Sequence, residues 1–173
     1  MHVNVSELTT GLSARAAAEA GMREGLQVSW IPSYGPEMRG GTAHCHVRLS
    51  PEAIASPLIN RPSTVLVFNE PSLEKFESEL LPGGLLILNT SMIKRNPERT
   101  DIKVLRVPAT EAANGIGNPR VGNMVMLGAY LEESRALNPA WILRCLSGHG
   151  MRPDLVEINR QALMAGRDLV SRL

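Results

Sequence analysis

The chain predicts an α/β fold: a single-domain three-layer sandwich with a mostly parallel or mixed sheet flanked by helices. Three observations point there. Short apolar runs alternate with segments of helical periodicity, the rhythm of an α/β sheet protein. Two of those runs, Val65-Leu66-Val67-Phe68 and Leu85-Leu86-Ile87-Leu88, are apolar at every position, as in strands covered on both faces. The 173 residues contain no repeat, low-complexity tract or linker, so one domain over residues 1–173 accounts for the length.

The elements follow in chain order. Leu8, Leu12, Ala16 and Ala20 recur at helical spacing, with Ser6 and Glu7 placed to cap that helix. Gly25 breaks it, and Gln27 to Ile31 forms a strand. A turn-rich stretch from Pro32 to Gly41 precedes an extended segment from Thr42 to Leu49. The run at 65–68 is a buried strand, followed by a helix from Ser72 to Leu81 that stops at Pro82-Gly83. Strands at 85–88 and at Lys103 to Val107 come next, the second alternating with period two. From Val121 to Leu131 a helix is apolar nearly all round, so it must be buried on both sides. Either it contacts another subunit as well as its own sheet, or its own chain wraps it. A last helix, Asp154 to Leu173, carries Leu155, Ile158, Ala162, Ala165 and Leu169 on one stripe.

Composition excludes several functions. Eighteen basic residues against seventeen acidic ones make no case for a nucleic-acid backbone, which requires a concentrated basic face. Aromatics are 3% of the chain, too few for base-stacking platforms. Cys45 and Cys145 form no CxxC pair; two reduced thiols in a cytoplasmic protein is the simplest assignment. An iron–sulfur cluster ordinarily takes four thiolates, more than this chain has. No secretory signal or membrane-spanning run is visible, so a soluble, cytoplasmic protein is expected.

The densest unusual segment is Ser33, Tyr34, Gly35, Pro36, Glu37, Met38, Arg39, Gly40, Gly41 and Thr42. It follows a strand end, where open α/β sheets place their ligand crevices. Its glycines and proline permit tight turns and close backbone approach. Glu37 and Arg39 either pair with each other in a rigid turn, or Arg39 grips a phosphate or carboxylate.

This segment, with Cys45, resembles the hallmark loop of the gamma subunits of 2-oxoacid:ferredoxin oxidoreductases, the family acting on pyruvate, 2-ketoisovalerate and 2-oxoglutarate. Further matches run in order: Asn69 with Pro71-Ser72-Leu73 and Phe76, Pro82-Gly83-Gly84, Asn89 with Ser91, Pro108-Ala109-Thr110-Glu111, and Gly117-Asn118 through Asn123 to Gly128. The likeness covers about residues 14–130 well and the last helix loosely. Several collinear motifs are more specific than one glycine motif.

The resemblance implies a reaction and a set of partners. Such complexes convert a 2-oxoacid to acyl-coenzyme A and CO2 and pass the electrons to ferredoxin. Thiamine diphosphate, Mg and 4Fe-4S clusters are expected in the alpha, beta (thiamine-binding) and ferredoxin-like partner subunits. Coenzyme A is the substrate this chain is expected to help hold, with no catalytic residue of its own. One departure stands out. Family members usually open with a strand and a Gly-x-Gly-Gly-Gln-Gly loop, whereas residues 4–9 here are Asn-Val-Ser-Glu-Leu-Thr. A glycine turn lets backbone N–H groups reach a phosphate at a helix start, and Glu7 would repel it. Either part of the ligand site is lost, or the recorded start is truncated or altered. Weaker coenzyme A binding is expected.

Other candidates have competing explanations. His44-Cys45-His46 invites a metal reading, but on a strand the histidines face one side and Cys45 the other; only His149 or Cys145 could complete a set, and no metal site is expected. For the same reason Cys45 has no adjacent base and is expected to be an inert buried thiol. Asn69, Asn89 and Ser91 follow apolar strands and are candidates to line a crevice mouth; Ser72 and Ser91 could instead cap helices or turns, and Ser72 is expected to cap. Asn123 joins them as a ligand or partner contact through the resemblance. Arg120 near a helix start either meets an anion or faces solvent. A protein of another class, a stand-alone α/β small-molecule-binding protein that has lost its partners, is the alternative.

Overall fold

The structure is a computed structural model that describes residues 2–6, 10–33, 44–56, 58–148 and 150–172. Strand β1 (His2–Ser6) leads to helix α1 (Thr10–Arg23), then β2 (Gln27–Ser33) and β3 (His44–Ser50). Next come β4 (Thr64–Val67), α2 (Glu70–Phe76), β5 (Leu85–Asn89), β6 (Lys103–Val107) and α3 (Ala109–Gly115). A single 3-10 turn, Pro119–Val121, enters α4 (Gly122–Ser134), which is followed by α5 (Pro139–Gly148) and α6 (Pro153–Ser171).

The strands form one six-stranded mixed sheet in the order β2-β3-β1-β4-β5-β6. β1, β4, β5 and β6 run parallel, while β3 is antiparallel to both β1 and β2. Alternation divides each strand between two cores. Cys45, Val47, Leu49, Leu66, Ile87, Leu105 and Val107 pack beneath α1, α3, α4 and α6 in the larger one. Val65, Val67, Leu86 and Leu88 pack against Leu73 and Phe76 of α2 in the smaller one. The expected α/β architecture with a mixed sheet between helical layers is present, though the second layer is thin.

Helix α4 is buried continuously from Gly122 to Leu131. Its cover comes from this chain: Gly128 meets Gly166 of α6 at backbone distance. A Cβ on Gly128 would stand 2.0 Å from the Leu163 carbonyl oxygen, and one on Gly166 would stand 1.9 Å from that of Val125. Contact with another subunit is therefore not what buries this helix. On α6 the most buried positions are Asn159, Ala162, Leu163 and Gly166. The expected stripe shares only Ala162 with them, because the closest approach belongs to the smallest residues rather than the most apolar.

Three further expectations are corrected. Ser6 belongs to β1, in register with His44, so it does not cap α1; β1 itself, with only Val3 and Val5 as apolar alternation, is not foreseen. The helix expected to reach Leu81 ends at Phe76. Beyond it, Arg99 Nη1 donates to the carbonyls of Glu77 (3.2 Å) and Leu80, and Glu77 Oε1 accepts the N–H groups of Glu98 and Arg99 (2.5 and 2.8 Å). Those carbonyls bond a guanidinium instead of continuing a helix. Ser72 is not the cap either: the Asn69 side chain accepts the Ser72 N–H at 2.9 Å, and the Ser72 hydroxyl is buried with no hydrogen-bond partner among the described residues.

The glycine contact predicts a large effect from one methyl group. Gly128→Ala or Gly166→Ala forces a backbone separation of two helices and should cost about 3 kcal/mol, read as a lower urea midpoint. A loss within error of zero would show that the helices are not in backbone contact.

Candidate functional site

All four parallel strands end at the same rim of the sheet. In register, Ser6 closes β1, Asn89 closes β5 beside Val107 of β6, and Asn69 follows β4 by two residues. Ser33, the end of β2, pairs with His44, the start of β3, and His44 pairs with Ser6. Segment 34–43 is thus tethered at both ends to this rim. The candidates Tyr34, Gly35, Pro36, Glu37, Met38, Arg39, Gly40 and Gly41 lie outside the described residues, as do Glu7, Thr42 and His149.

Topology marks one place on the rim. After β1 the chain crosses the large-core face through α1 to the far strand β2, whereas after β4 it crosses the opposite face through α2 to β5. Connections that diverge in this way open a crevice at the strand ends. The β1–β4 junction, with Ser6 and Asn69 at its mouth, is the candidate site, and the 34–43 tether begins two strands away. α4 also starts near the rim: Gly122 lies against Ala109, the first residue of α3 after β6.

The polar candidates at the rim hold the framework. Asn89 is 2% exposed, and its Oδ1 accepts N–H groups from Ser91 (3.3 Å), Ala109 (3.1 Å) and Thr110 (3.4 Å). Its Nδ2 donates to Thr110 Oγ1 at 2.9 Å. Helix α3 has no side-chain cap from its own N-cap residue, Pro108; Asn89 supplies that cap from twenty residues upstream. Ser91 Oγ accepts the Glu111 N–H at 3.0 Å. Asn123, 5% exposed, accepts the Met124 N–H at 2.8 Å. Thus Asn69, Asn89, Ser91 and Asn123 each satisfy a helix or turn start near the strand ends. The capping role of Asn89 was not legible locally, since its partners are a strand and a turn away. Arg120 is exposed.

Strand β3 separates its three chemical side chains as alternation requires. Cys45, 2% exposed, lies in the larger core. The His44 ring packs 5.0 Å from Phe76 of the smaller core and 5.3 Å from His46. Among the described residues no group of three His, Cys, Asp or Glu is placed to hold a metal ion. Burial, and then the charge of His44, hold the His46 imidazole below the ordinary 6.5, and its Nε2 is buried with no hydrogen-bond partner among the described residues. Between α1, β3 and α4, Ala14, Ala17, Val47, Leu66 and Leu127 line an apolar cavity of about 20 Å³, room for no more than a water.

Comparison with known proteins gives a consistent result. The family model described as pyruvate ferredoxin/flavodoxin oxidoreductase matches residues 10–169. The chain is 33% identical over 157 residues to ketoisovalerate oxidoreductase subunit VorA of Methanothermobacter marburgensis, covering 87% of this chain and 32% of that protein. It is 31% identical over 157 residues to 2-oxoglutarate synthase subunit KorC of the same organism, covering 87% and 84%. The chain spans about a third of the VorA protein and 24% of its Methanothermobacter thermautotrophicus counterpart. Among solved structures, a keto/oxoacid ferredoxin oxidoreductase gamma subunit from Geobacter sulfurreducens superposes with a TM-score of 0.85 at 24% identity, over 99% of both chains. A 2-oxoglutarate:ferredoxin oxidoreductase from Magnetococcus marinus, solved with 2-oxoglutarate, coenzyme A and succinyl-CoA, gives 0.88 at 23% identity over all of this chain and 31% of that one. These two likenesses establish the shared fold.

Two outcomes are expected of the rim. Asn89→Ala leaves backbone donors at the α3 start without their acceptor and should destabilise the chain by about 2 kcal/mol in urea unfolding; an unchanged midpoint would deny the cap. For His46, the folded value lies below that of the unfolded chain, so the unfolded state takes up the proton first as pH falls. The stability this neutral ring contributes is complete above pH 6.5 and is lost as pH falls through 6.5 towards the lower folded value. His46→Gln should therefore flatten the fall in stability between pH 8 and pH 5; parallel curves for both proteins would contradict this.

Proposed function

The chain belongs to the pyruvate ferredoxin/flavodoxin oxidoreductase family, and from that membership we propose that it is the gamma-type chain of a cytoplasmic 2-oxoacid:ferredoxin oxidoreductase, acting as one domain. In this reading the assembled enzyme converts a 2-oxoacid to acyl-coenzyme A and CO2, with ferredoxin as electron acceptor. This chain's own residues bind and orient coenzyme A at the rim. Thiamine diphosphate with Mg and the 4Fe-4S clusters supply decarboxylation and electron transfer, and alpha, beta and ferredoxin-like subunits hold them.

What supports the reading is the placement of the two strand ends that flank segment 34–43. These ends, Ser33 and His44, sit at the carboxyl rim beside the β1–β4 divergence, where α/β sheets bind ligands. Arg39 in that segment offers a planar fork for a phosphate of coenzyme A. The thiols do not suit an iron–sulfur cluster: Cys45 and Cys145 are each buried, on a strand and a helix respectively, and two cannot provide the usual four ligands. Among the described residues no helix is long and apolar enough to cross a membrane.

Asn69, Asn89, Ser91 and Asn123 then act chiefly as positioning residues for the rim, and Ser33 with residues 34–41 as the ligand or partner contacts. Residues 4–9 contain no glycine, so the phosphate contact that a glycine turn offers at a helix start is not part of this reading.

Purification of the chain from its native source should bring down a thiamine-binding subunit. In calorimetry on that complex, Arg39→Ala should weaken coenzyme A binding about tenfold, and a glycine turn built into residues 4–9 should strengthen it. A chain recovered alone, as a stand-alone binding protein would be, or unchanged affinity in both variants, would overturn the proposal.

A further inference from the structure

The side of the sheet that carries α2 is packed over one half only. There β4 and β5 set Val65, Val67, Leu86 and Leu88 against that helix, while no described residue of β2 or β3 belongs to the same core. Alternation puts His44, His46 and Arg48 of β3 on the α2 side, since Cys45, Val47 and Leu49 occupy the other. None of the strands β1, β2 and β3 contains an acidic residue. The His44 ring meets Phe76 of α2 at 5.0 Å, and Ser72 stands one turn before Phe76 on the same side of that helix.

Three buried side-chain polar atoms have no hydrogen-bond partner among the described residues, and all belong to this side of the sheet: His46 Nε2, Arg48 Nε and Ser72 Oγ. A polar group withdrawn from water and left unpaired costs free energy, a guanidinium edge most of all. Arg48 is also oriented. Its Nη1 donates to the Ser56 carbonyl at 2.7 Å, which fixes the guanidinium plane and leaves the edge formed by Nε and Nη2 for another acceptor. No carboxylate among the described residues pairs with it, in contrast to Arg99 and Arg167, which pair with Asp101 and Glu132.

We propose that Arg48 and His46 form an oxoanion seat on the half of the sheet that α2 leaves uncovered, and that its ligand is a phosphate group. The Nε/Nη2 edge of a guanidinium offers two parallel N–H donors, matched to two oxygens of one oxoanion. His46, two residues away on the same face of β3, offers Nε2–H to a further oxygen. A planar carboxylate is used up by the guanidinium fork, whereas a phosphate keeps a third oxygen for the imidazole. Both residues retain partial exposure, so a ligand reaches them from solvent, and no acidic residue on the three strands repels it. The seat uses no residue of segment 34–43, so it stands apart from the coenzyme A contacts proposed above. Its phosphate is either free or an ester carried by a larger ligand, coenzyme A included.

Titration of the full chain with inorganic phosphate, followed by NMR at the His46 ring and the Arg48 Nε–H, should shift both resonances saturably. Chloride at the same ionic strength should not. Arg48→Gln should weaken phosphate binding about tenfold or more, and Arg48→Lys, which keeps the charge and loses the fork, should weaken it as well. Coenzyme A added to the phosphate-loaded chain separates the two sources. Competition at these resonances assigns the seat to an ester phosphate of that ligand. Its absence leaves the seat to free phosphate and counts only against the coenzyme A reading. No saturable shift, equal shifts with chloride, or undiminished binding by Arg48→Gln would overturn the proposal. Should Arg48→Gln fail to fold, the contrast between phosphate and chloride in the native chain decides the matter alone.

Discussion

Everything on the larger face of the sheet depends on how one apolar helix is covered. Gly122 to Leu131 of α4 has no polar side to turn to water, so a layer must lie on each side of it. The sheet provides one. α6 provides the other by approaching until backbone touches backbone at Gly128 and Gly166, a distance that any side chain would prevent. With that contact in place, α4 is fixed against α3 and its first turn is held near the carboxyl rim. The chain's outward surface is left to amphipathic helices rather than to an exposed apolar one.

The rim itself is held by side chains that serve the backbone. α3 follows β6 with only Pro108 between them, so no residue of its own caps it. Asn89 reaches across from the neighbouring strand and takes that place, whereas α2 is capped by its own N-cap residue, Asn69. Such polar groups at strand ends give a rigid border to a crevice whose location follows from topology, where the connections after β1 and β4 part to opposite faces. Rigid elements that present mobile chemistry from neighbouring loops are a common basis for function on an α/β sheet.

Much of this was legible in the sequence, for identifiable reasons. β4 and β5 are apolar at every position because both of their faces are covered, and β6 alternates. The all-round apolar character of α4 correctly required cover on two sides. What supplied the cover was not legible, because the signal is a pair of glycines thirty-eight positions apart rather than an apolar stripe. Short β1 offered only two alternating valines. α2 ended early because a distant arginine, Arg99, captured the carbonyls beyond it. At the site, the collinear motifs pointed to the family, and the register then brought Ser33, Asn69, Asn89 and Ser91 to one rim. The bonds of Asn89 and Ser91 to the start of α3 could not be foreseen, since each depends on which segment lies opposite.

The central claim is that this chain buries its own apolar helix without help from another polypeptide. Native-state hydrogen exchange on the isolated chain tests it most directly. The α4 amides from Met126 to Tyr130 should exchange only through global unfolding, with the same free energy as the central amides of β4 and β5. Faster exchange through local opening of α4, or protection that arises only when a second polypeptide is present, would contradict the account.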